Sequence, residues 1–262
     1  MTNRLLLQCL VAAVAAVAVI GAFLLDPIPQ DPAYHAFADD TRLFGIPNFW
    51  NVATNLPFLF IGLLGLARVQ GLSDAMLGLH YRVFCTGVAL VALGSAYYHF
   101  EPSTPTLVWD RLPMTVAFMA LFAAVLMDRV SAPLGRALLW PLVALGIASI
   151  AWWVRTELAG EGDLRPYALV QFLPMLLMPV ILLLSKGGGL NTALLWMSLG
   201  AYGAAKLAEH FDLPILDATG VFSGHSLKHL LAALGAWWAI RAFLSVPGRT
   251  FRTCSSSALG NE

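Results

Sequence analysis

The chain has 262 residues, of which 59% are hydrophobic and 11% charged, and its mean hydropathy is +0.75. A soluble domain carries roughly 25% charged residues, so this composition excludes an ordinary soluble fold and implies an integral membrane protein. Lys+Arg and Asp+Glu both number 15, which leaves no basic excess for nucleic acid. Cys9, Cys85 and Cys254 stand singly, so neither a disulfide framework nor a thiolate zinc site is expected.

At about 20 apolar residues per span, the chain has room for seven or eight helices. The first apolar run, Leu5 to Leu25, is broken only by Gln8. It exceeds the 7–15 residues usual for a signal-peptide core, and it reads as a retained N-terminal transmembrane helix or uncleaved anchor (1–25). Residues 26–46, with Pro27, Pro29, Pro32 and Asp39-Asp40, read as an outer loop. A second span over 47–69 carries Asn48, Asn51 and Asn55 near its start, polar groups expected to bond a neighbouring helix. A third, 81–100, ends in Gly94-Ser95-x3-His99, with Ser95 and His99 one turn apart on one face. After a short proline-containing loop, a fourth span over 107–127 opens with Asp110-Arg111-Leu112-Pro113. Further spans are expected over 133–154, 167–184, 190–208 (with Lys206 and His210 near its end) and 222–244. A polar tail (246–262) follows.

Basic residues are retained on the cytoplasmic side of membranes. With eight spans and the N-terminus inside, Arg4, Arg68, Arg82, Arg129, Arg136, Lys186, Arg241, Arg249 and Arg252 fall on one side, and Arg42, Arg155 and Arg165 on the other. The expected placement is a bacterial inner membrane with a cytoplasmic C-terminus. This topology puts Ser95, His99, Asp110, Lys206, His210, His225 and His229 in one layer near the outer face. Polar residues in a membrane usually face the bundle interior and mark a site.

His225 and His229 lie i, i+4 on one helix face. With His99 they offer three nitrogens to a metal, Zn2+ above all, and leave a fourth position for water. Asp110 beside such a cation stays ionised and takes a proton from water or holds it in place, or else forms a salt bridge with Arg111 or Lys206; Ser95 is placed to stabilise an oxyanion or bonds back to its own helix. His35 and His80, expected in or beside loops, read as structural imidazoles bonded to backbone carbonyls. Lys206 and Lys228 are expected to snorkel or to pair with Glu209 and Asp212 rather than to react.

Together, Asn48-Phe49-Trp50-Asn51-x3-Asn55, Gly94-Ser95-x3-His99, Asp110-x-Leu112-Pro113-Met114 and His225-x3-His229 resemble the alkaline ceramidases and the wider superfamily of membrane hydrolases and related receptors, over residues 47–245. The resemblance implies an all-α, polytopic membrane helix bundle with a seven-helix core (47–245), here with an extra N-terminal helix. It also implies an intramembrane zinc on His99, His225 and His229, with Asp110 and Ser95 as catalytic groups. The activity implied is cleavage of the N-acyl bond of a ceramide that arrives from the bilayer. Three departures stand out. Asn48 and the segment Tyr34 to Asp40 do not reproduce the family's calcium-binding acids, which makes Ca2+ doubtful; Arg111 replaces an acid after Asp110; and the N-terminal helix is additional. A receptor-like protein with a structural zinc, and a bis-histidine haem protein, stay open on the residues alone. No protein partner is inferred.

Overall fold

The computed structural model describes residues 2–69, 72 and 74–246. Arg249, Arg252, Cys254 and all of the polar tail beyond Val246 therefore lie outside the described residues. Those described are largely helical, with short connections apart from the long stretch between residues 25 and 48, and form no strand, as the all-α reading expects. Ten α-helices follow one another: α1 (Thr2–Leu24), α2 (Phe49–Ala53), α3 (Leu56–Ala67), α4 (Ala75–Phe100), α5 (Thr104–Val125), α6 (Ala132–Leu158), α7 (Arg165–Leu184), α8 (Thr192–His210), α9 (Asp212–Thr219) and α10 (Gly224–Leu244). Among the described residues, six segments are long and apolar enough to cross a membrane: Arg4–Leu24, Phe49–Ala67, Ala75–Phe100, Thr104–Val130, Ala132–Leu158 and Arg165–Leu184. Helices α8 and α10 have the length, with 19 and 21 residues, but they carry Lys206, Glu209 and His210, and His225, Lys228 and His229, respectively. The chain is an integral membrane protein.

Helix α4 is the axis of the bundle. It packs on both α3 and α5, and α10 lies beside α8. Buried Tyr81, Phe84 and Val88 of α4, Ala120, Ala123 and Ala124 of α5, and Ile240 and Phe243 of α10 form one core. Small residues allow the close α4–α5 approach. A Cβ at Gly87 would lie 2.8 Å from the backbone nitrogen of Ala117, and one at Gly94 would collide with the Trp109 carbonyl. This is the helix-packing device of membrane bundles, where backbone contact replaces the hydrophobic effect. Helix α1 touches chiefly α7 and leaves Leu5, Leu6, Val17 and Ile20 exposed, an apolar outer face suited to lipid.

Three expectations are corrected. The second span is not one regular helix: it breaks at Thr54-Asn55 between α2 and α3. Pro57 sits in the first turn of α3 and cannot donate to the carbonyl one turn back, so α2 cannot run on through it. The third span begins at Ala75 rather than near residue 81, because Asp74 caps it by accepting from the backbone N–H groups of Met76 and Leu77. His80 is therefore inside α4 and fully buried, with Nδ1 2.7 Å from the Met76 carbonyl and Nε2 3.1 Å from that of Gly135; its structural reading holds, its loop placement does not. Finally, residues 212–219, read as loop, form α9.

The α6–α7 connection is held by Asp163, which accepts from Arg165 Nε (2.8 Å) and from Trp152 Nε1 (3.1 Å). The Arg165 hydrogen bond is the largest influence holding this carboxyl down at about 2, below its ordinary 3.8. A depressed carboxyl contributes stability that is full above the unfolded value and is lost as pH falls through the folded one. Asp163→Asn is therefore expected to lower the Tm of the purified protein by a few degrees at pH 7. The gap to wild type should close as the pH is taken from 4 toward 2.

Candidate metal centre

Helices α4, α5 and α10 bring the site together at one end of the bundle. Ser103 caps α5 in a reciprocal capping box with Thr106, which starts this helix three residues earlier than expected and carries Asp110 into its second turn. Pro113, inside α5, has no N–H for the carbonyl of Trp109 four residues back. That freed carbonyl is the atom against which Gly94 packs. The close approach sets Ser95 of α4 beside the Asp110 level of α5, and places His99 one turn further on, in the last turn of α4. On α10, Ser223 caps the helix by accepting from the Ser226 N–H. A Cβ at Gly224 would meet the Ala208 carbonyl and the Asp212 Cα, so α10 starts in contact with α8 and α9, with His225 in its first turn.

His99, His225 and His229 converge. One ring nitrogen from each lies within 4.8 Å of the others, and all three residues are buried. Their ring centroids are 4.8–5.0 Å apart. Among the described residues, His99 Nδ1 and His225 Nε2 have no hydrogen-bond partner. For His229 the surroundings decide the tautomer. Thr54 Oγ1 donates its one proton to the Trp50 carbonyl at 2.6 Å, so at 2.9 Å from His229 Nδ1 it acts as acceptor. Nδ1 then carries the hydrogen, and Nε2 keeps its lone pair. Three buried imidazoles with ring nitrogens left over fit a metal ion. A haem does not fit: rings this close leave no room for a macrocycle between any two of them.

The supporting shell comes from parts that read as loop or as helix-packing polar groups. Asn48 Nδ2 donates to the His99 carbonyl (2.9 Å). Buried Asn51 donates to the Asp39 carbonyl (3.2 Å) and accepts from Ser226 Oγ (2.8 Å). Asn55 Nδ2 donates to the Asn51 carbonyl (2.7 Å) and reaches His229 Nδ1 only at 3.5 Å. Asp212 accepts from the N–H groups of His225 (2.7 Å) and Ala38 (3.0 Å), tying the 26–46 segment to α10. Phe37 of that segment lies over the histidines, 4.7 Å from His99 and 4.6 Å from His225 between ring centroids. His35 lies between Tyr98 Oη (3.0 Å) and Thr104 Oγ1 (3.1 Å), side-chain rather than carbonyl partners. Burial, with the Arg111 charge nearby, holds its imidazole below the ordinary value.

A cavity of about 350 Å³ extends from this centre, with His229, Ser95, Asp110 and Asn55 in its wall. Neither cation weighed as a partner for Asp110 pairs with it. Lys206 and Lys228 both bind Glu209, at 2.5 and 2.8 Å, and Arg111 enters an aromatic cage. The lysines are thus paired as expected with Glu209 but not with Asp212. Sequence reasoning missed Phe37, Thr54 and Asp212 as neighbours of the site, since nothing in a loop or a helix break announces what it will cover. The two motif glycines stand next to Ser95 and His225 and were the available signal.

If the Gly94 contact sets the site, Gly94→Ala should lower stability by roughly 1–3 kcal/mol, the cost of overpacking, seen as a reduced Tm. Gly200→Ala, where a Cβ meets nothing within 4 Å, should leave it unchanged or raise it by about 0.5–1 kcal/mol.

A comparison with curated proteins gives no match to this chain. The sequence model of the Ceramidase family, in contrast, matches residues 44–185, which include Ser95, His99 and Asp110 but end before His225 and His229. The fold then supplies both of these to the centre that His99 begins. With more than half of its length matched, the chain belongs to the Ceramidase family.

Proposed function

We propose that the protein is a zinc-dependent amide hydrolase that cleaves the N-acyl bond of ceramide or a ceramide-like lipid within the membrane, releasing a sphingoid base and a fatty acid. The observation that carries this reading is the meeting of three buried imidazoles, one of which, His229, lines a largely apolar cavity together with Asp110 and Ser95, in a member of the Ceramidase family. His99, His225 and His229 would hold the ion. When bound, zinc supplies Lewis-acid activation of water and of the amide carbonyl.

The chain's own groups do the rest. Asp110 accepts the proton of the attacking water and returns it to the amide nitrogen as the C–N bond breaks, so that amide plus water becomes carboxylic acid plus amine. Ser95 donates a hydrogen bond to the carbonyl oxygen as negative charge gathers there. Phe37 keeps bulk water from the histidines, which strengthens each of these interactions. Phe84, Val88, Phe118, Leu121 and Met178 give the acyl chain an apolar wall. Access from the bilayer fits the cleft between α7 and α8, which meet over a short contact and are bridged by Gln171 Nε2 donating to Tyr202 Oη (2.6 Å). The basic-residue bias supports a site facing the outer side of a bacterial inner membrane, with the C-terminus in the cytoplasm.

The test is elemental analysis joined to turnover. Wild-type protein should hold stoichiometric zinc and release fatty acid from ceramide. His229→Ala should lose at least nine-tenths of the zinc, and Asp110→Ala should keep it while turnover falls about 10²–10⁴-fold. Zinc retained without His229 would remove the proposed centre. Zinc present without hydrolysis of any ceramide or N-acyl lipid would favour the receptor-like reading.

A further inference from the structure

Five charged side chains line the cavity: Asp110, Arg111, Lys206, Glu209 and Lys228. Two of the three cations are accounted for, because Lys206 and Lys228 share Glu209. Arg111 is not. Its residue is 6% exposed, and its guanidinium carbon lies 4.5 Å from the Trp153 ring centroid, 4.8 Å from that of Tyr167 and 5.4 Å from that of Tyr34. Aromatic faces stabilise the charge and hold the plane in place, but they leave the in-plane N–H groups wanting acceptors, and Arg111 Nη1 has none among the described residues. A buried guanidinium donates in a fixed fork that matches carboxylate or phosphate oxygens. An unmet donor of this kind, built into a cavity wall one residue from Asp110, marks a place for a ligand's anionic oxygen.

Position says which part of the ligand arrives there. From Arg111 the α5 wall of the cavity continues through Met114, Ala117, Phe118 and Leu121, about 15 Å further along the helix at 1.5 Å per residue. An acyl chain occupies that apolar length. Arg111 stands at the opposite, loop-side end, under Tyr34 of the 26–46 segment, where the amine half of a cleaved amide must sit. We infer that Arg111 reads the headgroup, and that the preferred substrate is an N-acyl lipid bearing an anionic oxygen group, carboxylate or phosphate, on the amine side of the amide rather than the neutral diol of ceramide. This rests on the amide-hydrolase reading and narrows its substrate class.

The test uses the full-length, zinc-loaded protein and three amides with one common acyl chain: a neutral N-acyl sphingoid base, an N-acyl amino acid with a free carboxylate, and an N-acyl phosphoethanolamine. Wild type should favour at least one anionic amide over the neutral one by tenfold or more in kcat/KM, and the better of the two names the group. Arg111→Gln should lower that ratio at least tenfold, and Arg111→Lys should lower it by about threefold or more. Because the readout is a ratio, general damage cancels; if the Gln variant does not fold, the Lys variant decides alone. Equal or better use of the neutral amide by wild type, or an equal loss on all three amides in the variants, would overturn the inference. If no amide is hydrolysed, the hydrolase reading fails separately and binding decides for Arg111. An N-acyl amino acid raising the Tm of wild type more than that of Arg111→Gln supports it, and equal rises overturn it.

Discussion

Hydrocarbon offers no partner to a polar group, so every donor and acceptor carried into a helix bundle must be met by the protein or by a ligand. The loop-side end of this bundle is organised by that constraint. Asn48, Asn51, Thr54, Ser226 and Asp212 are joined to one another, to backbone groups or to a histidine, and Glu209 answers two lysines. Seven buried side-chain atoms among the described residues have no partner, and four of them belong to His99, His225, Asn55 and Arg111. The unmet atoms therefore cluster where a metal and a substrate are proposed to sit. Such atoms are costly unless something binds there, which is why their clustering points to function rather than to imperfect packing.

The cluster depends in turn on two backbone contacts that admit no side chain. Gly94 lies against the Trp109 carbonyl released by Pro113, and Gly224 against the Ala208 carbonyl. The first aligns α4 with α5 and so Ser95 with Asp110; the second seats α10 on α8 and α9 and so aims His225. Helix geometry then places His229 one turn on. A site of this kind is rigid because its residues ride on packed helices, while Phe37 and Tyr34 reach it from a connecting segment that Asp212, Tyr98 and Thr104 hold down.

Much of this was legible in the sequence. Hydropathy located most of the spans, and i, i+4 spacing paired His225 with His229; the fold joins His99 to them as expected. Span edges shifted where local chemistry outweighed hydropathy: Asp74 and Ser103 as caps, Pro57 as a breaker. The covering segment was not legible, because Phe37 and Asp212 act through contacts across 188 and 174 positions of chain, and no local pattern encodes those. Arg111 was visible only as an added charge beside Asp110. Its cage of Tyr34, Trp153 and Tyr167 draws on three separate segments.

The central claim is that three imidazoles, and no other protein side chain, hold one zinc ion. X-ray absorption at the zinc edge of the purified, full-length protein tests it most directly. The account predicts an all nitrogen and oxygen shell at about 2.0–2.1 Å with the outer scattering of three histidine rings. A sulfur shell near 2.3 Å, or scattering from fewer than three imidazoles, would contradict it.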